Sequence, residues 1–407
     1  MKNNHFALVD KQYTVPFVLI TSLFFLWGFA HAILDVLNKH FQELLDITRA
    51  HSAMIQATMY MGYFTMAIPA GLFISKYGYR KGVVFGLLLY GIGSLMFIPG
   101  QYMVSFNFFL VSLFVIGCGL TFLETAANPY VTELGAKETA ASRLNFAQSF
   151  NGLGCICAPL LAGLLLFSSD ESQTGNGNVA LPYTIMGVVV LLVAAVFSRV
   201  KLPDIQHEVE VDETGHRTSL WSHKIFIFGV IALFAYEIGE ISINSFFINY
   251  VIEQGWMNTR QASLLLSFGG LSLFMVGRFV GSWIMRRVAA EKMLLVCAIG
   301  TVVSTLLIIL DCGVLSFVAL LCCYAFEAIM FPTIFALSLK GMGSHTKRAS
   351  SFLMMSPAGG AVGPLLMGWA ADYYGMSLSF IVPCLGYVVV LLYAMTQVKV
   401  SFASGRK

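Results

Sequence analysis

Charged residues are scarce in this chain of 407 residues, because Asp, Glu, Lys and Arg together make up only 11% of it. A soluble domain carries about 25% charged residues, so the scarcity argues against a soluble fold. The sequence also lacks a Gly-rich phosphate loop, a catalytic Ser or Cys triad and a metal-ligand spacing. These absences argue against an ATP-driven pump and an enzyme, and we expect no cofactor and no metal.

Neither cysteine nor net charge points to another class of protein. The eight cysteines all lie in or beside apolar stretches, which favours small apolar packing residues over a disulfide framework. The net charge of +3 gives no reason to expect a nucleic-acid partner. The polar start, through Pro16, leads into a long apolar run, so we expect no cleavable signal peptide.

What the chain does contain is apolar sequence throughout, since 57% of its residues are hydrophobic. A membrane-spanning helix needs about 20 apolar residues, and the short alternating segments of a transmembrane barrel are absent. The sequence therefore predicts an all-α membrane protein with twelve transmembrane helices. The predicted spans are 15–37, 52–74, 82–99, 105–132, 141–167, 180–198, 225–251, 261–284, 292–310, 314–339, 349–371 and 377–397.

The spans fall into two related halves. One long polar connection, 199–224, separates a bundle of six helices at 1–198 from another at 225–407. Span four carries Phe122-x-Glu124-x4-Pro129 and span ten carries Phe326-Glu327-x4-Pro332, and similar Gly, Ala-Ser and Pro-Leu-Leu motifs follow both. This order predicts a parallel repeat of six helices.

Positive charge sets the orientation. With both termini in the cytoplasm, only Lys39, Arg49 and Arg260 of the 24 Lys and Arg residues fall on outer loops, and Arg278 falls within a span. Basic residues favour the inner side of a membrane. We therefore expect a multi-pass protein of the inner membrane with both termini inside.

Several polar side chains interrupt the apolar spans. Glu124 lies near the middle of span four, where an ionised carboxylate costs at least about 2.5–3.5 kcal/mol. Such a group can carry a proton as a cavity opens to either side, or can be a structural carboxylate. Asp35 lies far along span one, where depth alone favours neither a coupling residue nor an interfacial cap. Glu327 is the repeat mate of Glu124, and its role stays open.

Amides could bind a neutral ligand rich in hydroxyl groups. Asn145, Gln148 and Asn151 share one face of span five, and Asn128 follows Glu124. Amides and carboxylates donate to and accept from hydroxyl groups, although bonds between helices are a rival explanation. On span seven, Glu237, Glu240 and Asn244 lie on one stripe.

The loop after span two reads Gly71-Leu-Phe-Ile-Ser75-Lys76-Tyr-Gly78-Tyr-Arg80-Lys81. This sequence resembles the signature of the major facilitator superfamily, with Ser75 at the usual position of an Asp. The resemblance implies a gating and topology role for Gly71, Gly78, Arg80 and Lys81. The missing acid puts a charge-locked gate in doubt.

Five further stretches are distinctive: Phe24-Phe-Leu-Trp-Gly28, Leu34-Asp35-Val-Leu-Asn38, Leu123-Glu124-Thr-Ala-Ala-Asn128-Pro129, Arg143-Leu-Asn145-Phe-Ala-Gln148-Ser-Phe-Asn151 and Phe331-Pro332-Thr-Ile-Phe335. They carry a closer resemblance, over nearly the whole chain, to the fucose–proton symporter family. It implies that Asp35 and Glu124 couple protons, that Gln148 and Asn151 line the sugar cavity and that Glu240 contacts sugar. His31, Ala32 and Leu34 replace amides common in that family, which leaves the sugar open.

We therefore expect a proton-coupled monosaccharide importer that works by alternating access. We expect it to act as a monomer in the lipid membrane and to bind no nucleic acid. Its expected substrate-binding residues are Asn128, Asn145, Gln148, Asn151, Glu240 and Asn244. Fucose is the first candidate, followed by glucose, galactose and an amino sugar. The alternatives are a proton-driven exporter of drugs or other small molecules and a membrane receptor or enzyme that transports nothing.

Overall fold

Most of the described residues of the chain are helical, and no strand occurs among them. The computed structural model describes residues 8–9, 11–45, 49–103, 105–166, 180–200, 202 and 220–404. The α-helices are α1 (Thr14–Leu45), α2 (Arg49–Tyr77), α3 (Tyr79–Leu95), α4 (Phe97–Met103), α5 (Phe106–Glu133), α6 (Ala140–Leu166), α7 (Ala180–Arg199), α8 (Lys224–Glu253), α9 (Thr259–Leu265), α10 (Ser272–Ile284), α11 (Ala290–Ile309), α12 (Val314–Glu327), α13 (Met330–Leu339), α14 (Thr346–Leu353), α15 (Gly359–Tyr374), α16 (Met376–Ser379) and α17 (Ile381–Ser404).

Each of the twelve predicted spans coincides with one of these helices or with a run of two. Span eight is interrupted by a π-helical turn, Leu266–Leu271, and span ten by a break between α12 and α13. Within the described ranges, nine helical stretches are long and apolar enough to cross a membrane. Side chains such as Val15, Leu192 and Leu365 are exposed, as expected where lipid replaces water. The predicted all-α membrane fold is confirmed.

Two compact units divide the chain. The first comprises Met1–Phe17, Val131–Ser149 and Gln206–Lys407, and the second comprises Val18–Tyr130 and Phe150–Ile205. The start of α6 thus groups with the C-terminal helices and the rest of α6 with the N-terminal ones. The predicted boundary at 199–224 stays a prediction, since 203–219 lie outside the described residues.

Helices of the second unit cross closely at glycines. A Cβ atom built on Gly86 of α3 would lie 2.8 Å from the carbonyl oxygen of Gly119 on α5, and one on Gly119 would lie 2.6 Å from the nitrogen of Tyr90. Small residues let helix backbones approach where lipid offers no hydrophobic driving force for association. This crossing fixes α5, the helix that carries Glu124, against α3.

Arg143, a fully buried side chain of α6, closes the turn between α5 and α6. Its Nε donates to the carbonyl oxygen of Val131 at 3.1 Å, and its Nη2 donates to that of Thr132 at 2.6 Å. Its Nη1 donates to the carbonyl oxygen of Ala136 at 2.9 Å and to Oγ1 of Thr139 at 2.5 Å. The guanidinium therefore satisfies carbonyl groups that the end of α5 leaves without helical donors.

We predict that Arg143→Lys destabilises the protein. Lysine keeps the charge but loses the planar set of donors, and hydrogen bonds to charged groups contribute about 1.5–3 kcal/mol each. Thermal unfolding in detergent should show a clearly lower midpoint, while Lys137→Ala, at an exposed side chain of the same turn, should leave it unchanged. Equal midpoints for Arg143→Lys and the unmodified protein would contradict this role.

Candidate functional site

A chain of three polar groups reaches the predicted coupling residue Glu124. Glu124 lies on α5 with 7% of its surface exposed. The hydroxyl of Tyr63, on α2, donates a short hydrogen bond to Oε1 of Glu124. Nε2 of His31, on α1, lies 3.0 Å from the same hydroxyl oxygen. Since the Tyr63 proton points to the carboxylate, the imidazole N–H is the donor to Tyr63.

This arrangement can hold or move a proton. A carboxyl group with a hydroxyl and an imidazole in series is a short hydrogen-bonded path across three helices. Inside an apolar span the carboxyl is the group whose charge is most costly, so binding and losing a proton changes the local energy strongly. Hydrogen bonds thus connect Glu124 to α2 through Tyr63 and to α1 through His31.

Asp35, the second predicted coupling residue, lies on α1 four residues after His31. Its side chain lies outside the described residues. Its predicted role in coupling therefore stays a prediction.

Asn151 joins α6 to α1 next to this network. With its amide oxygen turned toward the available donors, it accepts from Nε1 of Trp27 at 2.6 Å and from the backbone nitrogen of Gly28 at 3.1 Å. Sγ of Cys155, one turn further along α6, lies 3.4 Å from the carbonyl oxygen of Gly28. Trp27 is 2% exposed. The predicted sugar residue Asn151 thus lies against a buried indole ring that also packs on the ring of Phe24.

The other predicted amides are more deeply buried. Asn128 is fully buried on α5, and Gln148 is 4% exposed on α6. Asn145 is also fully buried, and its Nδ2 donates to Oγ1 of Thr333 on α13 at 3.0 Å. That bond between helices is the rival explanation for Asn145. Asn145 and Gln148 lie in the first unit and Asn151 in the second, and their common cavity stays a prediction.

The stripe predicted on span seven forms on α8. Glu237 is 7% exposed, and Glu240 and Asn244 are half-buried. Oδ1 of Asn244 has no hydrogen-bond partner among the described residues. Arg278 of α10 is 5% exposed and lies close enough to Glu240 for their charges to attract. These side chains offer hydrogen-bond acceptors and one cation within the first unit.

The predicted gating residues shape the turn between α2 and α3. Gly71 is buried within α2, and Gly78 joins the helices with a φ of 86°, which other residues rarely adopt. Arg80 donates through Nε to the carbonyl oxygen of Phe197 at 3.3 Å and through Nη2 to that of Ser198. Arg80 therefore caps the end of α7, where a cation also favours the helix dipole.

Lys81 of the same turn lies near an aromatic ring. Its Nζ is 5.6 Å from the ring centroid of Tyr77, and Nζ of Lys76 is 5.2 Å from that centroid. These contacts hold the basic loop side chains beside α2. The gating role of the four residues stays a prediction.

Sequence reasoning missed the parts played by His31 and Tyr63. In the sequence, His31 is distinguished only as a departure from amides common in the resembling family. Their contacts join positions 32 and 61 residues apart, a separation that no periodicity reveals. Only an unexpected histidine in an apolar span hinted at the network.

Comparisons with known proteins agree over nearly the whole chain. The profile described as Major Facilitator Superfamily matches residues 17–356. The chain is 34% identical over 392 residues to a glucose/galactose transporter of Brucella abortus, covering 95% of each protein. It is 35% identical, in an alignment of 425 positions including gaps, to an L-fucose-proton symporter of Haemophilus influenzae, and the alignment covers 97% of this chain and 99% of the relative.

Solved structures of the same transporter family also resemble this chain over nearly its whole length. The crystal structure of the fucose:proton symporter of E. coli superimposes with a TM-score of 0.83 at 32% identity, covering 95% of this chain and 99% of that one. A structure of the same kind of transporter, described as being in the outward conformation, gives a TM-score of 0.85 at 33% identity with the same coverage. The resemblance to the fucose–proton symporter family is confirmed.

We predict that Gly28→Ala disturbs the contact that holds Asn151. The added Cβ atom would meet the backbone carbonyl group of Asn151, and it would lie 2.8 Å from the carbonyl carbon. Because this is too close, α1 and α6 must separate, at a cost of about 1–3 kcal/mol. The indole of Trp27 should then lose its acceptor, and a change in the wavelength of Trp27 emission, obtained by comparison with Trp27→Phe, would report that loss.

The matched control is Gly368→Ala on α15. There the added Cβ would meet only the end of the Phe246 ring, at 3.1 Å. We expect a small change in unfolding temperature and none in Trp27 emission. Similar spectra for both glycine variants would show that the α1–α6 contact does not position Trp27.

Proposed function

Because the chain belongs to the major facilitator superfamily, and within it to the family of fucose and glucose/galactose transporters, we propose that it imports a monosaccharide together with a proton. Membership makes it a multi-pass membrane transporter and not an enzyme. The proposal adds the direction of transport, alternating access between two six-helix halves, and the roles of individual residues.

The observation that carries the proposal is the hydrogen-bonded carboxyl group of Glu124. It lies in an apolar span, and its connection through Tyr63 to His31 supports a group that takes up and releases a proton. The carboxyl is paired to α2 when ionised and becomes a donor when protonated. A proton from outside thus changes how α5 is held by its neighbours, and Asp35 is the second proposed coupling residue.

Amides and acids form the proposed sugar-binding set. Asn151 lies against Trp27, and Glu240 and Asn244 supply acceptors from α8. Gln148, Asn128 and Asn145 complete the set, as the resemblance and the residue chemistry suggested. Curated relatives of nearly equal identity are named for fucose and for glucose/galactose transport, so we propose fucose as the first substrate to test, with glucose and galactose beside it.

The proposed location is the inner membrane, with both termini in the cytoplasm. The support is the distribution of Lys and Arg, of which only Lys39, Arg49 and Arg260 would lie on outer loops. We propose that one chain suffices for transport, with sugar, protons and lipid as its partners.

The first test is proton movement driven by sugar. In proteoliposomes without a preset pH gradient, adding the transported sugar outside should make the outside medium more alkaline, because sugar and proton enter together. A pH electrode or an external dye would record the change for fucose, glucose, galactose and glucosamine in turn. Alkalinisation with none of them, together with dye efflux driven by a proton gradient, would replace the proposal with an exporter.

The second test is Glu124→Gln, which keeps the shape of the side chain but cannot change charge. We predict that sugar binding and exchange of sugar for sugar persist, while accumulation against a gradient disappears. Radiolabelled uptake with and without a proton gradient separates the two activities. Glu138→Gln, at an exposed acid between α5 and α6, should behave as the unmodified protein, and uphill uptake by Glu124→Gln would refute the coupling role.

A further inference from the structure

The C-terminal half contains a carboxyl–tyrosine pair at the position that repeats Glu124. Glu327 is fully buried at the end of α12. The hydroxyl of Tyr387, on α17, donates to Oε2 of Glu327 at 2.6 Å. Glu124 is held in the same manner by the hydroxyl of Tyr63. The repeat thus presents one acid with one phenolic donor in each half, although the two tyrosines come from different spans of the repeat.

The helix that carries Glu327 is broken at that residue. Residues 328 and 329 separate α12 from α13, and Pro332 has no N–H to donate to the carbonyl of Ala328. Nε of Arg278 donates to that carbonyl at 3.0 Å instead, and the hydroxyl of Tyr236 donates to the carbonyl of Glu327 at 3.3 Å. Broken helices are tolerated at membrane depth where partners satisfy them, and they often mark binding sites.

One oxygen of the Glu327 carboxyl is distinguished by having no hydrogen-bond partner in the described part of the chain. Oε1 of Glu327 is buried and accepts from no donor among the described residues. The hydroxyl of Tyr324, one turn earlier on α12, is likewise buried and has no hydrogen-bond partner among them. An anionic oxygen that is buried and unpartnered is strongly unfavourable. A proton on Oε1 removes the charge and turns this oxygen into a donor, so its surroundings fit a proton as the ligand.

The surrounding charges also require a proton. Glu240 lies close enough to Glu327 for their charges to repel, and the guanidinium of Arg278 lies close enough to both to attract them. One guanidinium carries a single positive charge and cannot neutralise both carboxylates, so Glu327 and Glu240 fit a pair that shares a proton. The titratable groups facing Glu327 are Tyr236, Glu240, Arg278, Cys323, Tyr324 and Tyr387.

We propose that Glu327, held by Tyr387, forms a second proton-binding site, in the C-terminal half, so that the carrier moves one proton more per sugar than the N-terminal coupling residues Asp35 and Glu124 provide. The proposal rests on the proposed symport. A proton from the outer water binds Oε1, giving a neutral carboxylic acid, and returns to water on the inner side. No other bond forms or breaks.

Arg278 offers a route from this site to span five. Its Nη1 donates to the backbone carbonyl of Gln148 at 3.1 Å, within the same compact unit as Glu327. When Glu327 or Glu240 takes up a proton, the guanidinium loses part of the charge that attracts it. Its hold on the backbone beside a proposed sugar residue then changes, which ties proton binding to the start of α6.

The experiment measures how many protons accompany each sugar. With a pH difference of about one unit and no membrane potential, each coupled proton raises the limiting accumulation ratio of sugar about tenfold. We expect Glu327→Gln to transport with a limiting ratio about tenfold lower than that of the unmodified protein, while exchange of sugar for sugar continues. Glu253→Gln, at an exposed acid at the end of α8, is the matched control and should keep the full ratio.

The outcomes separate this inference from the proposed symport. If the unmodified protein moves protons with sugar and Glu327→Gln has the same limiting ratio, the second site is refuted and symport stands. If the unmodified protein moves no protons, symport itself fails. An extra accumulation that follows a Na⁺ gradient instead of the pH gradient also overturns the proton assignment.

A second variant keeps the test decisive if Glu327→Gln does not fold. Tyr387→Phe retains the carboxyl but removes the donor that stabilises its ionised form. We expect the number of protons per sugar to be unchanged and the alkaline limb of the uptake profile to move to higher pH. A profile that coincides with that of the unmodified protein would show that Glu327 is not titrated during transport.

Discussion

Hydrocarbon offers no hydrogen bonds, so every carboxyl group and every interrupted backbone bond inside these helices depends on a partner from the chain itself. Tyr63 meets that need for Glu124, and Tyr387 meets it for Glu327. Arg278 and Tyr236 meet it for the carbonyl groups at the break in span ten. Each partner comes from a different helix, so satisfying the polar groups also fixes which helices pack together.

The same constraint explains why close packing and polar chemistry occur at the same places. Gly28 brings α1 within hydrogen-bond distance of Asn151, and the crossing at Gly86 and Gly119 holds α5 against α3. A larger side chain at Gly28 would separate two helices and leave an amide without donors. The contact is therefore both a packing feature and a means of orienting a polar group.

Hydropathy alone was sufficient to predict the fold, because a run of about 20 apolar residues has few structural alternatives. The repeat around Glu124 and Glu327, and the resemblance carried by Glu124 to Pro129, pointed to the acids that the structure surrounds with donors. Pro332 has no N–H and therefore leaves the carbonyl of Ala328 without its helical donor. The donor that fills it, Arg278, lies 50 residues away, and nothing in the local sequence identifies it. Asn145 shows the opposite difficulty, since its face on the helix was predicted but its bond to Thr333 was not.

The two acids of the repeat differ in what they are connected to, and this difference suggests separate tasks. Glu124 is joined by neutral groups, a hydroxyl and an imidazole, to α1 and α2. Glu327 shares a guanidinium with Glu240, and that guanidinium also holds the backbone of Gln148. A proton at Glu124 therefore alters contacts among helices of the N-terminal half. A proton at Glu327 alters the balance of charge around Arg278, and through it the contact between α10 and α6. A duplicated helix bundle can in this way have an acid at the same position in both halves. Protonation of each acid still affects different helices, because the partners of the acid, and not the acid itself, determine which helix contacts change.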